Sequence, residues 1–301
     1  MADQFCFYEL RGIRLIVESY SKALFSLCVL HFVFSPVATI GKVLAIRALW
    51  KASSLPANLR KLLLSLAFSD LFVGFFVHMK LGVVFNLALS ENYNLDILCP
   101  FTLTLCYLVL YLLAFASFLN VSAIAVDRLL AVSLHLRYAE LVTTKRVVRA
   151  LATIWLASCV VASVVVANLN FVVSIIIFSL GFTLATVACY RVYLVTRYHQ
   201  NQIRIQLQQQ NAQAATVLLR ERKSSLNVLC IYIAFAVTYL PRFCSVLIRK
   251  LNPSNDSAWV ACYMTMFLVL INSSINPLIY CWRYHEVRKV IKKTCKKTFC
   301  F

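Results

Sequence analysis

Acidic side chains are scarce in this chain: 11 Asp and Glu stand against 30 Lys and Arg, and charged residues of either sign make up only 14% of its 301 positions. A soluble globular domain carries roughly a quarter, so water is not the main solvent here. Glycine is rarer still, at five residues. No phosphate-cradling Gly-rich loop, nucleophile motif or metal triad can be found, so nothing supports an enzyme or implies a cofactor. The twelve cysteines form no CxxC pair and no His/Cys cluster with metal-ligand spacing. Cys28, Cys106, Cys159, Cys189 and Cys230 fall inside apolar runs, where they read as small buried hydrophobes. Also missing is the basic start and short apolar core of a cleavable signal, because Asp3, Glu9, Arg11, Arg14 and Glu18 punctuate the first 23 residues. The first apolar span is expected to act as the targeting signal.

What the chain does have is length in its apolar runs. A helix needs roughly 20 apolar residues to cross a bilayer. Seven runs qualify, at about Leu24 to Trp50, Leu59 to Leu87, Leu98 to Leu130, Val147 to Ala167, Phe171 to Thr196, Leu226 to Ile248 and Ala258 to Trp282. The stretch Ala150 to Tyr190 contains no charge; as one helix it would measure about 60 Å, twice the hydrocarbon thickness. It must fold back once, and the Asn168/Asn170 pair marks the turn, leaving Gly181 inside the fifth helix. The fold class is therefore all-α, a seven-transmembrane helix bundle. Residues 1–23 are expected as an extracellular N-terminus, 24–282 as the bundle, and 283–301 as a cytoplasmic amphipathic helix with a short tail. His199 to Gln213 is rich in Gln and Asn and reads either as an extension of the fifth helix or as a loop.

A net charge of +19 suggests a nucleic-acid binder until the basic residues are sorted by position. Twenty-two flank the inner ends of the spans, six lie on the other side (Arg11, Arg14, Lys22, Lys80, Arg249 and Lys250), and Lys42 and Arg242 fall within spans. That asymmetry predicts a cell-membrane protein with its N-terminus outside and its C-terminus inside. The surplus charge is topology and no nucleic-acid partner is implied.

Ionisable groups inside spans are costly, on the order of 2.5 to 3.5 kcal/mol at the centre, and each asks for a reason. Asp70 sits in Leu66-Ala67-Phe68-Ser69-Asp70, Asp127-Arg128 closes the third span, and Asn276-Pro277-Leu278-Ile279-Tyr280 closes the seventh. LAxxD, Asp-Arg and NPxxY, ordered through the second, third and seventh spans, resemble the signature of rhodopsin-like G-protein-coupled receptors. Trp155 in the fourth span, Tyr190 in the fifth, and Phe235 with Leu240-Pro241 in the sixth add to the resemblance, which covers nearly all of residues 24–297. After NPxxY, Trp282 to Lys293 is apolar on one face and basic on the other, as in a helix lying on the inner leaflet among membrane lipids. Cys295 and Cys300 follow it, either as palmitoylation sites or as unmodified tail cysteines.

The resemblance implies a receptor that carries binding of an extracellular ligand to a heterotrimeric G protein through outward movement of the sixth helix. In it, Arg128 is latched by Asp127 and by Glu221, with a solvated Glu221 as the bland alternative. Pro241 supplies a hinge by removing a backbone bond, and Tyr190 and Tyr280 hold the open form. Asp70, Ser117, Asn272, Ser273 and Asn276 correspond to the family's buried sodium cluster. Here the chain departs: Gly41 is followed by Lys42 where the family carries Asn. Lys42 is expected to pair with Asp70 as a tethered cation that replaces sodium; snorkelling to a polar neighbourhood is the other reading.

By the same resemblance, Leu110 stands where amine receptors carry Asp, and Leu270 where opsins carry the retinal lysine. A biogenic amine and retinal are both disfavoured, leaving a lipid, small molecule or peptide. Candidates to line the pocket are Tyr107, Leu110, Tyr111, Ala114 and Phe115 on the third span, Tyr239, Arg242, Phe243 and Val246 on the sixth, and Met266 and Leu270 on the seventh, with helix packing as the alternative for about half of them. Tyr239 replaces the family's Trp. Arg242 and Lys80 are candidates to hold a carboxylate or phosphate. The usual outer disulfide cannot form, because Cys99 is displaced and no Cys lies between Cys159 and Cys189. Cys6, Cys99 and Cys262 remain available for another bridge whose pairing is open. The missing bridge, short second outer loop and absent fifth-helix proline resemble the melanocortin, lysophospholipid, cannabinoid and adenosine receptors. Asn255-Asp256-Ser257 is an exposed glycosylation sequon. The competing readings are a seven-helix transporter, which needs a chain of ionisable groups along a path, and a receptor-like protein that does not couple.

Overall fold

In hydrocarbon every backbone N–H and C=O must be satisfied internally, so apolar runs of this length are driven to helices. The computed structural model describes all residues except 1, 53–54, 91–100, 135–136, 168–170, 209–211, 253–254, 284 and 300–301, and no side chains for 2–5, 171–174, 199–227, 283, 285–286 and 295–299. Its helices are α1 (Ala2–Lys51), α2 (Ala57–Phe72), α3 (His78–Leu89), α4 (Phe101–Leu134), the short α5 (Tyr138–Leu141), α6 (Thr144–Val166), α7 (Phe171–Gln208), α8 (Ala212–Leu251), α9 (Asp256–Arg283) and α10 (His285–Phe299). Seven helices among the described residues are long and apolar enough to cross a membrane, with α2 and α3 forming one of them. Large apolar side chains such as Ile40, Leu156, Leu180 and Leu278 are exposed on the bundle's outside, as lipid contact requires.

The first helix departs from expectation. It begins at Ala2, not near Leu24, and bends at Tyr20 (φ −143°, ψ 43°). Its charges lie on one side: Arg11, Arg14 and Glu18 occupy an exposed face, while Cys6, Leu10, Ile13 and Ile16 form a buried stripe at helical spacing. The opening residues are therefore part of the bundle. Ser19 Oγ reaches Asp256 Oδ2 at 3.5 Å and Tyr20 Oη lies 3.1 Å from Ser257 Oγ, tying the bend to the start of α9.

Between α2 and α3, Val73–Val77 forms a π-helical turn in which the His78 N–H reaches back five residues to the Val73 carbonyl. Gly74 permits the close approach of α1 here, since a Cβ would lie 2.9 Å from Ala38 Cβ and 3.0 Å from the Thr39 nitrogen. Ser35 Oγ donates to the Gly74 carbonyl at 2.9 Å. The wider turn rotates everything beyond it by up to about 100°, the angle of one helical residue.

The apolar core has two halves. One gathers Cys6, Leu27, Phe85, Leu103, Trp259 and Phe267 at the end where α8 finishes and α9 starts; the other gathers Leu63, Ile124, Phe235 and Tyr280 toward the opposite end. The second half also receives Val287, fully buried, with Val290 and Ile291, from α10, whose Arg288, Lys289, Lys292 and Lys293 are exposed. Trp155 Nε1 donates to Ser65 Oγ at 3.1 Å and ties α6 to α2.

Candidate functional site

Four spans converge on Asp70 between the two halves of the core. Lys42 Nζ, fully buried, donates to Asp70 Oδ2, and Asn276 Nδ2 donates to the same oxygen at 2.7 Å. Ser117 Oγ donates to Asp70 Oδ1 at 3.0 Å and lies 2.9 Å from Ser69 Oγ. The Lys42 ammonium also lies 5.6 Å from the centre of the Tyr280 ring. Two charges this deep are tolerable only as a hydrogen-bonded pair, and here a third helix and a fourth supply the remaining donors. Two members of the expected cluster make no hydrogen bond to Asp70 among the described residues. Ser273 Oγ turns back to the Leu270 carbonyl at 2.7 Å, and Asn272 Oδ1, buried, has no partner among the described residues.

At the end of α4, Arg128 Nε donates to Asp127 Oδ2 at 3.0 Å, and its Nη2 reaches the same oxygen. Both residues are buried. The other carboxylate oxygen accepts from Tyr138 Oη at 2.7 Å. Tyr138 sits on α5, outside the spans, where burial and then the hydrogen bond to Asp127 push its pKa up to about 12. Its sequence offered no signal beyond a tyrosine eleven places after the acid. Glu221 lies on α8, but its side chain is outside the described residues, as are those of Cys295 and Cys300. Tyr190 is 60% exposed on α7, whereas Tyr280 is fully buried.

Above the polar centre lies an aromatic floor. Phe235 and Tyr239 stack with centroids 3.7 Å apart, Phe118 stacks on Phe235 at 5.5 Å, and Phe178 stacks on Phe118 at 4.9 Å and on Phe243 at 5.2 Å. Gly181 makes room, since a Cβ there would meet the Phe118 ring at 2.6 Å. Tyr239 Oη donates to the Ala114 carbonyl at 3.3 Å. Pro241 lies within α8, so the Val237 carbonyl lacks its helical donor. Pro277 does the same to α9 beside the polar centre.

A cavity of about 400 Å³ opens over this floor, the size of a small-ligand site. Leu110, Tyr111, Ala114 and Phe115 line it from α4, Tyr239, Arg242, Phe243 and Val246 from α8, and Met266 and Leu270 from α9. Two expected residues do not. Tyr107 is buried and donates to Tyr263 Oη at 3.3 Å, so it packs α4 against α9. Lys80 is exposed on α3 and is not among the residues that line the cavity. Sequence reasoning also missed the opposite wall. Tyr8 and Glu9 from α1, Arg249 and Lys250 from α8, and Phe178 from α7 border the cavity. Glu9 is buried and accepts from Arg249 Nη1 at 3.3 Å. Cys6 is disulfide-bonded while Cys262 carries a free thiol, and Cys99 is outside the described residues. Arg242 Nη1 donates to the Cys262 carbonyl at 2.7 Å. Asn255 is exposed between α8 and α9.

Seven spans around a buried ion pair, with an Asp-Arg pair at one end and a ligand-sized cavity toward the other, define a seven-helix membrane receptor. The chain belongs to the rhodopsin family of such receptors: the family described as "7 transmembrane receptor (rhodopsin family)" matches residues 41–280. It is similar to melanocortin receptor 4 of Danio rerio, 30% identical over 277 residues that cover 86% of this chain and 80% of the relative. It is also similar to melanocortin receptor 5 of Mus musculus, 25% identical over 272 residues covering 85% and 80%. It is thus a multi-pass membrane receptor that signals to G proteins, and of the four receptor groups that the sequence resembles, the melanocortin group is the one these relatives bear out.

Proposed function

We propose that the cavity between α4, α8 and α9 is the extracellular ligand site, and that the Asp127–Arg128 end faces the cytoplasm and receives the G protein. The observation that carries this is the arrangement along the bundle: a 400 Å³ cavity on an aromatic floor, then the Lys42–Asp70 centre, then the buried Arg128 held by Asp127. A ligand that presses on Phe243 or Tyr239 acts on the same helix whose outward movement would free Arg128. Pro241 lies between the cavity's rim and the Phe235–Tyr239 stack, where a missing backbone bond makes bending cheapest. Glu221, on the cytoplasmic extension of α8, would close the latch on Arg128.

Lys42 acts in this reading as a tethered cation that occupies the role sodium plays elsewhere in the family. The cavity's apolar floor suits a lipid or other apolar small molecule. The absence of an acid at Leu110 and of a lysine at Leu270 speaks against an amine and retinal. Residues 283–301 would lie along the cytoplasmic leaflet with Cys295 and Cys300 open to acylation, and Asn255 would carry the extracellular glycan.

The test is nucleotide exchange on a panel of purified G proteins by the receptor in lipid nanodiscs, challenged with lipids, melanocortins and amines. Ligand-stimulated exchange that is lost in Phe243→Ala and Arg128→Ala supports the assignment. Stimulation that survives Phe243→Ala, Tyr239→Ala and Met266→Ala together would place the ligand elsewhere. Ion flux through vesicles holding only this protein would favour a transporter instead.

A further inference from the structure

The charge around the cavity is one-sided. Among the described residues that line it, Arg242, Arg249 and Lys250 are basic and Glu9 is acidic. Arg249 is 5% exposed and is held flat, its guanidinium carbon 4.6 Å from the Trp259 ring centre and 5.4 Å from that of Tyr8. A guanidinium fixed in this way presents two parallel N–H groups to a planar acid. Glu9 uses that fork poorly. One Nη1 contact reaches Glu9 Oε1 at 3.3 Å, longer than the roughly 2.7 to 2.9 Å of a strong charge-assisted bond. Arg249 Nε, buried, has no acceptor among the described residues. Glu9 divides its attention, because its Oε2 accepts from Tyr263 Oη at 3.1 Å.

Glu9 is also delivered by an element with its own fastenings. Gly12, one turn further along α1, lies flat against Trp259, where a Cβ would fall 2.2 Å from the indole ring. Cys6, less than a turn before Glu9, is disulfide-bonded. An acid is thus held beside a half-used guanidinium at the mouth of a cavity whose floor is aromatic.

We propose that the ligand of this cavity is a single-chain anionic amphiphile, whose carboxylate or phosphate takes Arg249 from Glu9 while its apolar chain lies on Phe118, Phe178, Tyr239 and Phe243. Glu9 is then a resident competitor that any ligand must displace. This rests on the reading of the cavity as the receptor's ligand site. A cationic ligand cannot accept from the Arg249 fork, and an uncharged one leaves Arg249 as it is.

The experiment titrates the full-length receptor in nanodiscs with hexadecyl phosphate, palmitate, hexadecanol and hexadecyltrimethylammonium, reading the midpoint of thermal unfolding. At least one anion should stabilise the wild type, with the alcohol and the cation inert at equal membrane loading; the better of the two anions identifies the headgroup. Glu9→Gln should lower the half-saturating concentration of that anion by about threefold to tenfold, and Arg249→Gln should raise it about tenfold or more. Opposite signs are the signature, because a purely structural pair would weaken binding from both sides. Should Arg249→Gln not fold, Arg249→Lys keeps the charge without the fork and should fall between the two. Equal effects of alcohol and anions on the wild type, or the same direction of shift in both variants, would overturn the proposal. Nucleotide exchange on the same preparation separates the two readings: exchange that persists without anion binding removes only this ligand class.

Discussion

Tyr138 Oη lies 2.7 Å from Asp127 Oδ1, so the carboxylate that holds Arg128 is itself held from α5, a separate element. The Arg128 restraint therefore has two anchors, one on α4 and one between α4 and α6.

Tyr138→Phe should loosen that restraint. Losing a half-buried hydrogen bond to a charged acceptor costs about 1 kcal/mol, which translates into a rise in basal nucleotide exchange of up to about fivefold. Because burial and the Asp127 contact raise the Tyr138 pKa to about 12, the hydroxyl keeps its proton below the unfolded value of about 10, and the contact is lost only as pH climbs through the higher figure. The effect of the variant should consequently be the same at pH of about 6 and about 9, read by exchange on a fixed G protein.

Glu221→Ala should also raise basal exchange if the acid latches Arg128, and combining it with Tyr138→Phe should give more than either alone. Unchanged basal exchange at equal receptor loading would mean that Glu221 is a solvated charge.

The Lys42–Asp70 pair makes an ionic prediction. The wild type should unfold at the same temperature in sodium chloride and choline chloride. Lys42→Asn should acquire a sodium-dependent midpoint, since it leaves Asp70 without its cation. In choline chloride that variant should be destabilised by about 3 to 5 kcal/mol, the cost of breaking a buried pair from one side. Lys42→Asn behaving identically in both salts would remove the tethered-cation role.

Gly181→Val should compress the aromatic floor, because even a Cβ meets Phe118 at 2.6 Å. Overpacking of this kind costs about 1 to 3 kcal/mol. Thermal unfolding should register it, and Gly181→Ala should cost less.

The spans were legible because length and polarity alone decide what can cross hydrocarbon, and the Asp127, Asp70 and Asn276 motifs were legible because ionisable and amide groups are conspicuous there. Lys42 meeting Asp70 followed from the penalty on unpaired buried charge. The fold of residues 2–20 was hidden by their charges: a buried stripe three or four residues apart carries the helix, while Arg11, Arg14 and Glu18 drew the eye to solvent. Glu9 and Arg249, 240 positions apart, meet through the tertiary packing of α1 on α8 and α9, which no local pattern announces. Asn272 and Ser273 were assigned to the cluster around Asp70 by resemblance, which does not say which partner each oxygen takes: Ser273 Oγ donates to the Leu270 carbonyl.

The π turn at Val73–Val77 has a practical side for anyone transplanting this helix. A ruler marked in regular helical turns and laid along the second span from Asp70 slips by one mark after Val77, so side chains placed by such counting point to a different neighbour. Chimaeras joined ahead of Phe72 would carry the whole offset from one parent but take Ser35 and Gly74 from different ones, whereas a join after Val77 keeps that pair together. A join placed inside the turn would have to choose between two phases of the same screw, and His78, which touches both His31 at 2.9 Å and the Leu270 carbonyl at 3.4 Å, would be the first residue to register the choice.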